Sequence, residues 1–173
     1  YYMQKNKQYE EIDKYLELLN VRIEEFGNSL TVNNSIVDAI INKFYTEAMA
    51  KGIKLHIKGK LPAICNIDAY DLCTVFSNVL SNALEAVDKI KNKEIFLECR
   101  YTDEEIIIIE KNMFENLGQF KDNDLYTIKE DKDRHGFGIN NIKDAVKRNC
   151  GIVNIEIDKE QFCISIMMKN NDL

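Results

Sequence analysis

The stretch F-S-N-V-L-S-N-A-L-E-A, residues 76–86, places two side-chain amides and a carboxylate at a regular spacing. Asn78, Asn82 and Glu85 follow one another at i, i+4 and i+7, so they share one face of a helix. Asparagine is a mediocre helix former, because its side chain competes for backbone groups. Its amide oxygen can bind Mg²⁺, which takes its other ligands from water and phosphate. Two interpretations stay open: a solvated polar face, or the wall of a nucleotide pocket.

A second pattern with chemical meaning is H-G-F-G-I-N-N-I, residues 135–142. Gly136 and Gly138 stand between a polar tract and a helix predicted from Ile139. Glycine lets the backbone approach a ligand closely, and a helix N-terminus offers unpaired N–H groups to phosphate. A lone G-x-G is a weak signal, since most glycines before helices form turns and caps. No strand directly precedes it, and the G-K-[ST] ending is absent, so neither a dinucleotide fingerprint nor a P-loop is indicated.

The hydrophobic pattern predicts the elements that must position these groups. Apolar residues recur at helical spacing between residues 68 and 91, which indicates a helix with one broad buried face. That face comprises Leu72, Val75, Phe76, Val79, Leu80, Ala83, Leu84 and Val87. Further helices are predicted over residues 8–26, 33–51 and 139–148, and strands over 53–58, 94–101, 105–110, 152–157 and 162–168.

The second of these helices, residues 33–51, has a plausible N-cap and an inner face. Asn34 or Ser35 is expected to cap it, because short polar side chains accept hydrogen bonds from the first-turn N–H groups. Its expected inward residues are Ile36, Ile40, Ile41, Phe44, Ala48 and Met49.

The order of elements predicts the fold class. The predicted order is helix, helix, strand and helix, followed by two hairpins around one helix. This order indicates an α+β fold in which helices cover one face of a mostly antiparallel sheet. We expect a helical segment over residues 1–28 and a single domain over residues 29–173. The tract Met113–Arg134 is long and polar. A loop of more than about 15 residues in a compact domain is often a functional lid.

Composition excludes several classes of protein. The 173 residues are 45% hydrophobic and 30% charged, which is typical of a soluble globular protein. A net charge of −6 weighs against non-specific binding to nucleic acid or anionic membranes. The five cysteines form no C-x-x-C pair, so we expect a reducing compartment and no disulfide framework or zinc site. The chain opens on Tyr1-Tyr2, and we expect it to be a fragment of a longer protein.

Together the two patterns resemble a known family. The family is the GHKL ATP-binding family, which includes gyrase, histidine kinases and MutL. Its N box is similar to N-V-L-S-N-A-L-E-A, and its glycine-rich box is similar to H-G-F-G-I-N-N-I. The resemblance spans roughly residues 33–168. It implies the Bergerat fold, a two-layer sandwich of mixed sheet and helices, with ATP and Mg²⁺ as cofactors. Three stretches further resemble the AgrC-type and citrate-sensor-like branch of sensor histidine kinases. They are N-A-L-E-A, T-I-K-E-D-K-D-R-H-G-F-G and I-I-E-K-N-M-F.

The resemblance also implies roles for individual residues. Asn82 should hold Mg²⁺, and Asn78 should line the triphosphate site. Asn112 should occupy the adenine site, where most histidine kinases have the Asp of a D-x-G-x-G box. The lid and its hinge should contact phosphate through Lys129, His135, Gly136 and Gly138. Glu85, where many kinases have Lys, is a further candidate near the metal, although Glu85 and Lys129 are about equally well explained as solvated surface charges.

The function implied is that of a protein histidine kinase catalytic domain in two-component signal transduction. It would transfer the γ-phosphate of ATP to a histidine on a dimerisation helix outside this fragment, with residues 1–28 as the second helix of that hairpin. No residue of the chain is therefore assigned a catalytic role. Implied partners are a second copy, joined through the N-terminal helices, and a response regulator. The implied location is cytoplasmic, and the protein would contact a membrane only through a missing sensor region. The AgrC-type resemblance further implies a role in quorum sensing.

Two alternatives belong to other functional classes. ATP hydrolases and serine-protein kinases of the same fold place a Glu base at the position of Asn78, and an asparagine cannot abstract a proton. That difference argues against them. A non-catalytic nucleotide-binding module stays open, because the D-x-G-x-G box is missing.

Overall fold

The computed structural model describes residues 30–113, 136–158 and 161–170. The helices in these ranges are α1 (Ser35–Ala50), α2 (Ala69–Asp88) and α3 (Gly136–Arg148), and the strands are β1 (Lys54–Gly59), β2 (Glu94–Tyr101), β3 (Glu105–Met113), β4 (Ile152–Asp158) and β5 (Gln161–Lys169). The helix predicted over residues 8–26, the boundary between residues 28 and 29, and the polar tract beyond Met113 lie outside the described residues. These three expectations stay predictions.

The described strands form one mixed sheet in the order β1-β2-β3-β5-β4. β1 and β2 are parallel, and α2 lies between them in sequence, as a parallel pair requires a crossover connection. The other three pairs are antiparallel, and both predicted hairpins, β2–β3 and β4–β5, are present. The predicted α+β class, with a mostly antiparallel sheet and helices on one face, is confirmed.

Helix α2 is the central helix of the helical layer. All eight apolar positions predicted to face inward are buried. Asp68 caps the helix, since its Oδ1 accepts a hydrogen bond from the Tyr70 backbone N–H at 2.7 Å. The buried stripe fixes the rotation of the helix about its axis. Asn78 and Asn82 are consequently half-buried at the edge of this stripe, and Glu85 is exposed.

The helix-facing side of the sheet is mostly apolar. Because side chains alternate along a strand, every second residue is buried beneath the helices over most of β2, β3 and β5. The apolar members are Ile95, Leu97, Cys99, Ile106, Ile108, Ile164, Ile166 and Met168. Two polar residues, Glu110 and Asn112, continue this inward series at the end of β3 and are equally buried.

One expectation for α1 is confirmed and another is wrong. The side-chain oxygen of Asn34 accepts a hydrogen bond from the Val37 N–H at 3.2 Å, so Asn34 is the N-cap. Met49, expected inside, is 46% exposed, because it lies about 100° around the helix from buried Ala48. The buried residues of the helix are Val37, Ile41, Phe44 and Ala48, whereas Ile36 and Ile40 are half-buried.

Two element bounds differ from the predicted ones where it matters for function. α3 begins at Gly136 instead of Ile139, because the low helix propensity of glycine conceals the first turn in the sequence. β3 continues to Met113 instead of ending at Glu110, and Asn112 pairs with Ile95 on one side and Phe162 on the other. The glycine motif is therefore the first turn of a helix, and Asn112 lies within the sheet.

Candidate functional site

The first turn of α3 lies directly against the polar edge of α2. A Cβ atom built on Gly138 would stand 3.0 Å from Asn82 Oδ1 and 3.3 Å from Asn78 Oδ1. Contacts this short are tighter than almost all that real Cβ atoms make. A side chain at position 138 would therefore crowd both amide oxygens, and glycine allows the two helices to approach. Two motifs that are distant in sequence thus lie in contact.

The amide of Asn78 has a fixed orientation within this site. Its Nδ2 donates a hydrogen bond to the Thr74 carbonyl at 2.7 Å, one turn earlier in α2. That bond engages the amino group and leaves the oxygen directed toward Gly138. Neutral amide oxygens here stand beside the first turn of α3, and the first turn of a helix offers N–H groups that have no partner within the helix. Such a combination suits a phosphate together with its metal ion, because it supplies both acceptors and donors.

Asn112 supplies a buried acceptor at the end of β3. It is 2% exposed and lies on the helix-facing side of the sheet. Its Nδ2 donates to the Met113 carbonyl at 2.8 Å, which orients the side-chain oxygen as the acceptor. A neutral amide oxygen can accept a hydrogen bond from the amino group of a base, although without the assistance of a charge.

Glu110, which the sequence reasoning did not single out, is the most unusual polar residue in the core. It is 1% exposed, and its Oε1 has no hydrogen-bond partner. Leu97 and Ile164 lie opposite it on the neighbouring strands. Burial raises the pKa of Glu110 to about 8, so its carboxyl is mostly neutral at pH 7. The alternation of β3 was the signal that could have found it, since Glu110 occupies the inward phase shared with Ile108.

A groove of about 600 Å³ opens between α2 and α3 beside Asn78. The buried carboxylate of Asp71 accepts hydrogen bonds from Arg148 Nε at 3.1 Å and Asn149 Nδ2 at 2.7 Å. The bonds from Arg148, foremost among these contacts, hold the pKa of Asp71 below its usual range. The groove is lined by Asp68, Tyr70, Asp71, Thr74, Asn78, Asn141, Asp144 and Arg148. Three carboxylates and one guanidinium give this lining a net negative charge, which does not favour a phosphate chain.

Some predicted site residues are not among those that the structure describes. Lys129 and His135 lie outside the described residues, so their contacts with phosphate stay predictions. Gly136 is the first residue of α3. In the described ranges, no three His, Cys, Asp or Glu side chains are grouped so that they could hold a metal ion.

No helix of the described ranges combines the length and the hydropathy that crossing a bilayer requires.

Comparison with known families decides the identity of the domain. Residues 67–169, which include Asn78, Asn82, Asn112 and Gly138, match the family model described as the GHKL domain. The chain belongs to the GHKL family. No curated protein sequence matches this GHKL domain.

Solved structures of histidine kinases share the fold of this GHKL domain. The catalytic domain of histidine kinase ThkA is 12% identical with a TM-score of 0.64, and the match covers 79% of this chain and 90% of that one. The mycobacterial sensor histidine kinase MprB is 12% identical with a TM-score of 0.55, over 80% and 95% of the two chains. The blue-light activated histidine kinase EL346 of Erythrobacter litoralis is 12% identical with a TM-score of 0.58, over 78% and 61%. At these identities the matches establish the fold, which is the GHKL ATP-binding fold.

Proposed function

We propose that this GHKL domain is the ATP-binding catalytic domain of a two-component sensor histidine kinase. It passes the γ-phosphate of ATP to a histidine on a dimerisation helix outside these 173 residues. The observation that carries the proposal is the packing of Gly138 against both Asn78 and Asn82. The fold, shared with several histidine kinase catalytic domains, supports it.

The described residues fit a magnesium–nucleotide complex. Asn82 provides a neutral oxygen at the point where the first turn of α3 provides N–H groups, and Mg²⁺ commonly takes its remaining ligands from phosphates and water. When bound, Mg²⁺ neutralises part of the triphosphate charge. Asn78 lines the same space, and the oxygen of Asn112 accepts a hydrogen bond from the adenine amino group. The carboxylate of Glu85 is the further candidate near the metal.

Transfer to an external histidine suits this site better than hydrolysis. Phosphoryl transfer requires positioning and charge neutralisation, and the domain itself need not supply a nucleophile. Asn78 cannot take a proton from water, whereas a hydrolase of this fold requires a base there. The groove beside Asn78 has a net negative charge, which is complementary to a cationic segment.

His56 is not placed to be the acceptor. Its ring stacks on Phe96 with centroids 4.5 Å apart, and its Nε2 lies 3.9 Å from Glu94 Oε2. His56 is exposed, while Leu55 beside it is buried beneath the helices. Because neighbouring residues of a strand face opposite sides, His56 lies on the sheet face away from Gly138. This placement supports an acceptor histidine on another segment.

The first experiment is to titrate the protein with a non-hydrolysable ATP analogue, with and without Mg²⁺. We expect magnesium-dependent binding by the parent and at least about a tenfold loss in Asn82→Ala, the effect of one lost charge-assisted contact. Thermal stability should change by no more than about 0.5 kcal/mol, because Asn82 lies off the buried stripe. Asn42→Ala, an exposed helical asparagine on α1, is the matched control and should bind like the parent.

The second experiment supplies a histidine-bearing dimerisation hairpin together with labelled ATP and Mg²⁺. We expect acid-labile label on that histidine and none on the 173-residue chain incubated alone. Binding without transfer would instead support the non-catalytic module, for which the missing D-x-G-x-G box is the argument. No magnesium-dependent binding at all would refute the proposal.

The proposal carries the finer expectations with it. The full-length kinase would be a homodimer through its N-terminal helices, act on a response regulator, and hold this domain in the cytoplasm beneath a membrane-anchored sensor. The AgrC-type branch, and quorum sensing with it, rests on the N-A-L-E-A stretch and on Asn112 in place of aspartate.

A further inference from the structure

Glu110 is a buried acid with one carboxyl oxygen left unpaired. Its Oε1 is the one buried side-chain oxygen or nitrogen without a hydrogen-bond partner among the described residues. Buried polar atoms are nearly always paired, because leaving one unpaired costs free energy. An apolar residue between Leu97 and Ile164 would avoid that cost. The position of Glu110 therefore needs a ligand or a function to account for it.

That position is adjacent to the adenine-contacting residue of the proposed function. Glu110 and Asn112 are successive inward-facing residues of β3, about 7 Å apart along the strand. Both are covered by the helical layer, and neither is more than 2% exposed. The longer side chain of glutamate can bring its carboxyl close to the head group of Asn112. Because Glu110 is the next inward residue of β3, we expect its carboxyl to lie beside a base that Asn112 contacts.

The two side chains complement the two neighbouring groups on the edge of adenine. Adenine presents an amino group, which donates, next to ring nitrogen N1, which accepts. The amino group of Asn112 is engaged by the Met113 carbonyl, so its oxygen is the part that accepts. A neutral carboxyl supplies the missing donor. Resting on the proposed function, we infer that Glu110 is a second base-contacting residue, which donates a hydrogen bond to adenine N1 directly or through one buried water.

The surroundings of Glu110 keep this donor protonated. Its facing residues on β2 and β5, Leu97 and Ile164, are apolar. Few titratable residues lie on the inward sides of the described elements that pack around β3. They are Cys99 and Tyr101 on β2 and Asp71 on α2, and β5 contributes none. Desolvation alone raises the pKa of Glu110, with no contribution from a neighbouring charge.

Protonation of this acid selects the base. A neutral acid donates to adenine N1, whereas a carboxylate would repel the N1 lone pair and accept from the N1–H of guanine. The site therefore discriminates in favour of adenine nucleotides as long as Glu110 keeps its proton.

The inference is tested by removing one partner at a time from the protein and from the nucleotide. The probes are ADP and 1-deaza-ADP, in which a C–H group replaces N1, each with Mg²⁺. The parent should bind 1-deaza-ADP about tenfold more weakly than ADP, the effect of one hydrogen bond. Glu110→Leu should bind both nucleotides equally, whereas Glu110→Gln, which retains a donor, should preserve the difference. Glu105→Gln, on the outer face of the same strand, is the matched control and should behave like the parent.

The pattern of results separates this inference from the proposed function. Equal affinity of the parent for the two nucleotides, or the same tenfold difference in parent and Glu110→Leu, would overturn the inference while leaving nucleotide binding intact. Failure of the parent to bind either nucleotide would overturn the proposed function and the inference with it. A pH titration provides a second measurement. ADP affinity of the parent should fall as the pH passes about 8, and that of Glu110→Gln should not.

Discussion

Replacing Glu110 with glutamine should stabilise the folded protein, and the gain should increase with pH. In the folded state burial keeps the proton on the carboxyl until about pH 8, whereas the unfolded chain loses it near the ordinary pKa of 4.5. Between these two pH values the folded protein holds one more proton than the unfolded chain. The free energy of unfolding of the parent therefore falls as the pH rises through this window, and is level above it. Glutamine does not titrate, so the variant lacks this loss.

The size of the effect follows from the two pKa values. One bound proton contributes about 1.4 kcal/mol for each pH unit. Over the window from 4.5 to about 8, the loss from this one group reaches about 5 kcal/mol, and at pH 7 it is about 3 kcal/mol. Domains of this size are stable by roughly 5–15 kcal/mol in total, so the effect is large enough to measure directly.

This pH-dependent loss of stability can be measured by urea unfolding of the parent and of Glu110→Gln at about pH 5.5 and about pH 8. The difference in unfolding free energy between Glu110→Gln and the parent should increase by about 3 kcal/mol between these conditions. Glu156→Gln, which removes an exposed carboxylate on β4, controls for the change in net charge. A difference that stays the same at both pH values would show that Glu110 titrates as in the unfolded chain, and the argument from a neutral buried acid would fail.

Two further substitutions test the contacts between α2 and α3. Gly138→Ala adds a methyl group that crowds both asparagine oxygens, so magnesium–ATP affinity should fall about tenfold. Unchanged affinity would contradict this geometry, and exposed Asn140→Ala on α3 is the calorimetric control. Arg148→Met removes the bonds that lower the pKa of Asp71, and should lower the free energy of urea unfolding at pH 7 only modestly, since Arg148 is half exposed. That loss should shrink as the pH falls from the ordinary aspartate pKa of 3.8 through the lower pKa of folded Asp71, and a loss independent of pH would indicate packing instead.

The sequence predicted those parts of the fold whose signals are local. The helical repeat of α2 and the alternation in the two hairpins are visible within a few residues, and the structure confirms them. The start of α3 and the end of β3 were wrong by three residues, because glycines and polar residues at element ends conceal the pattern. Met49 was misplaced, since the predicted inner face of α1 was drawn too wide.

Within the site, what could be predicted depended on whether a contact is local. Asn78 and Asn82 share a helix edge by spacing alone, but only the resemblance to the GHKL family placed Gly138 near them, and the structure provides the contact. The ion pair of Asp71 with Arg148 joins residues that are distant in sequence, and neither has an unusual local setting. No periodicity argument could have paired them.

Glu110 shows why a break in the local rules can be the most informative feature of a site. A buried acid with an unpaired oxygen lowers the stability of the fold by about 3 kcal/mol at pH 7, on the reasoning above. Such conflicts between local chemistry and the core are expected where function requires them. In the proposed function Asn112 accepts a hydrogen bond from the adenine amino group, and a neutral amide oxygen lacks the charge that would strengthen this bond. A neutral acid one inward position earlier on the same strand would add a second contact to the base and so offset the weaker bond from Asn112.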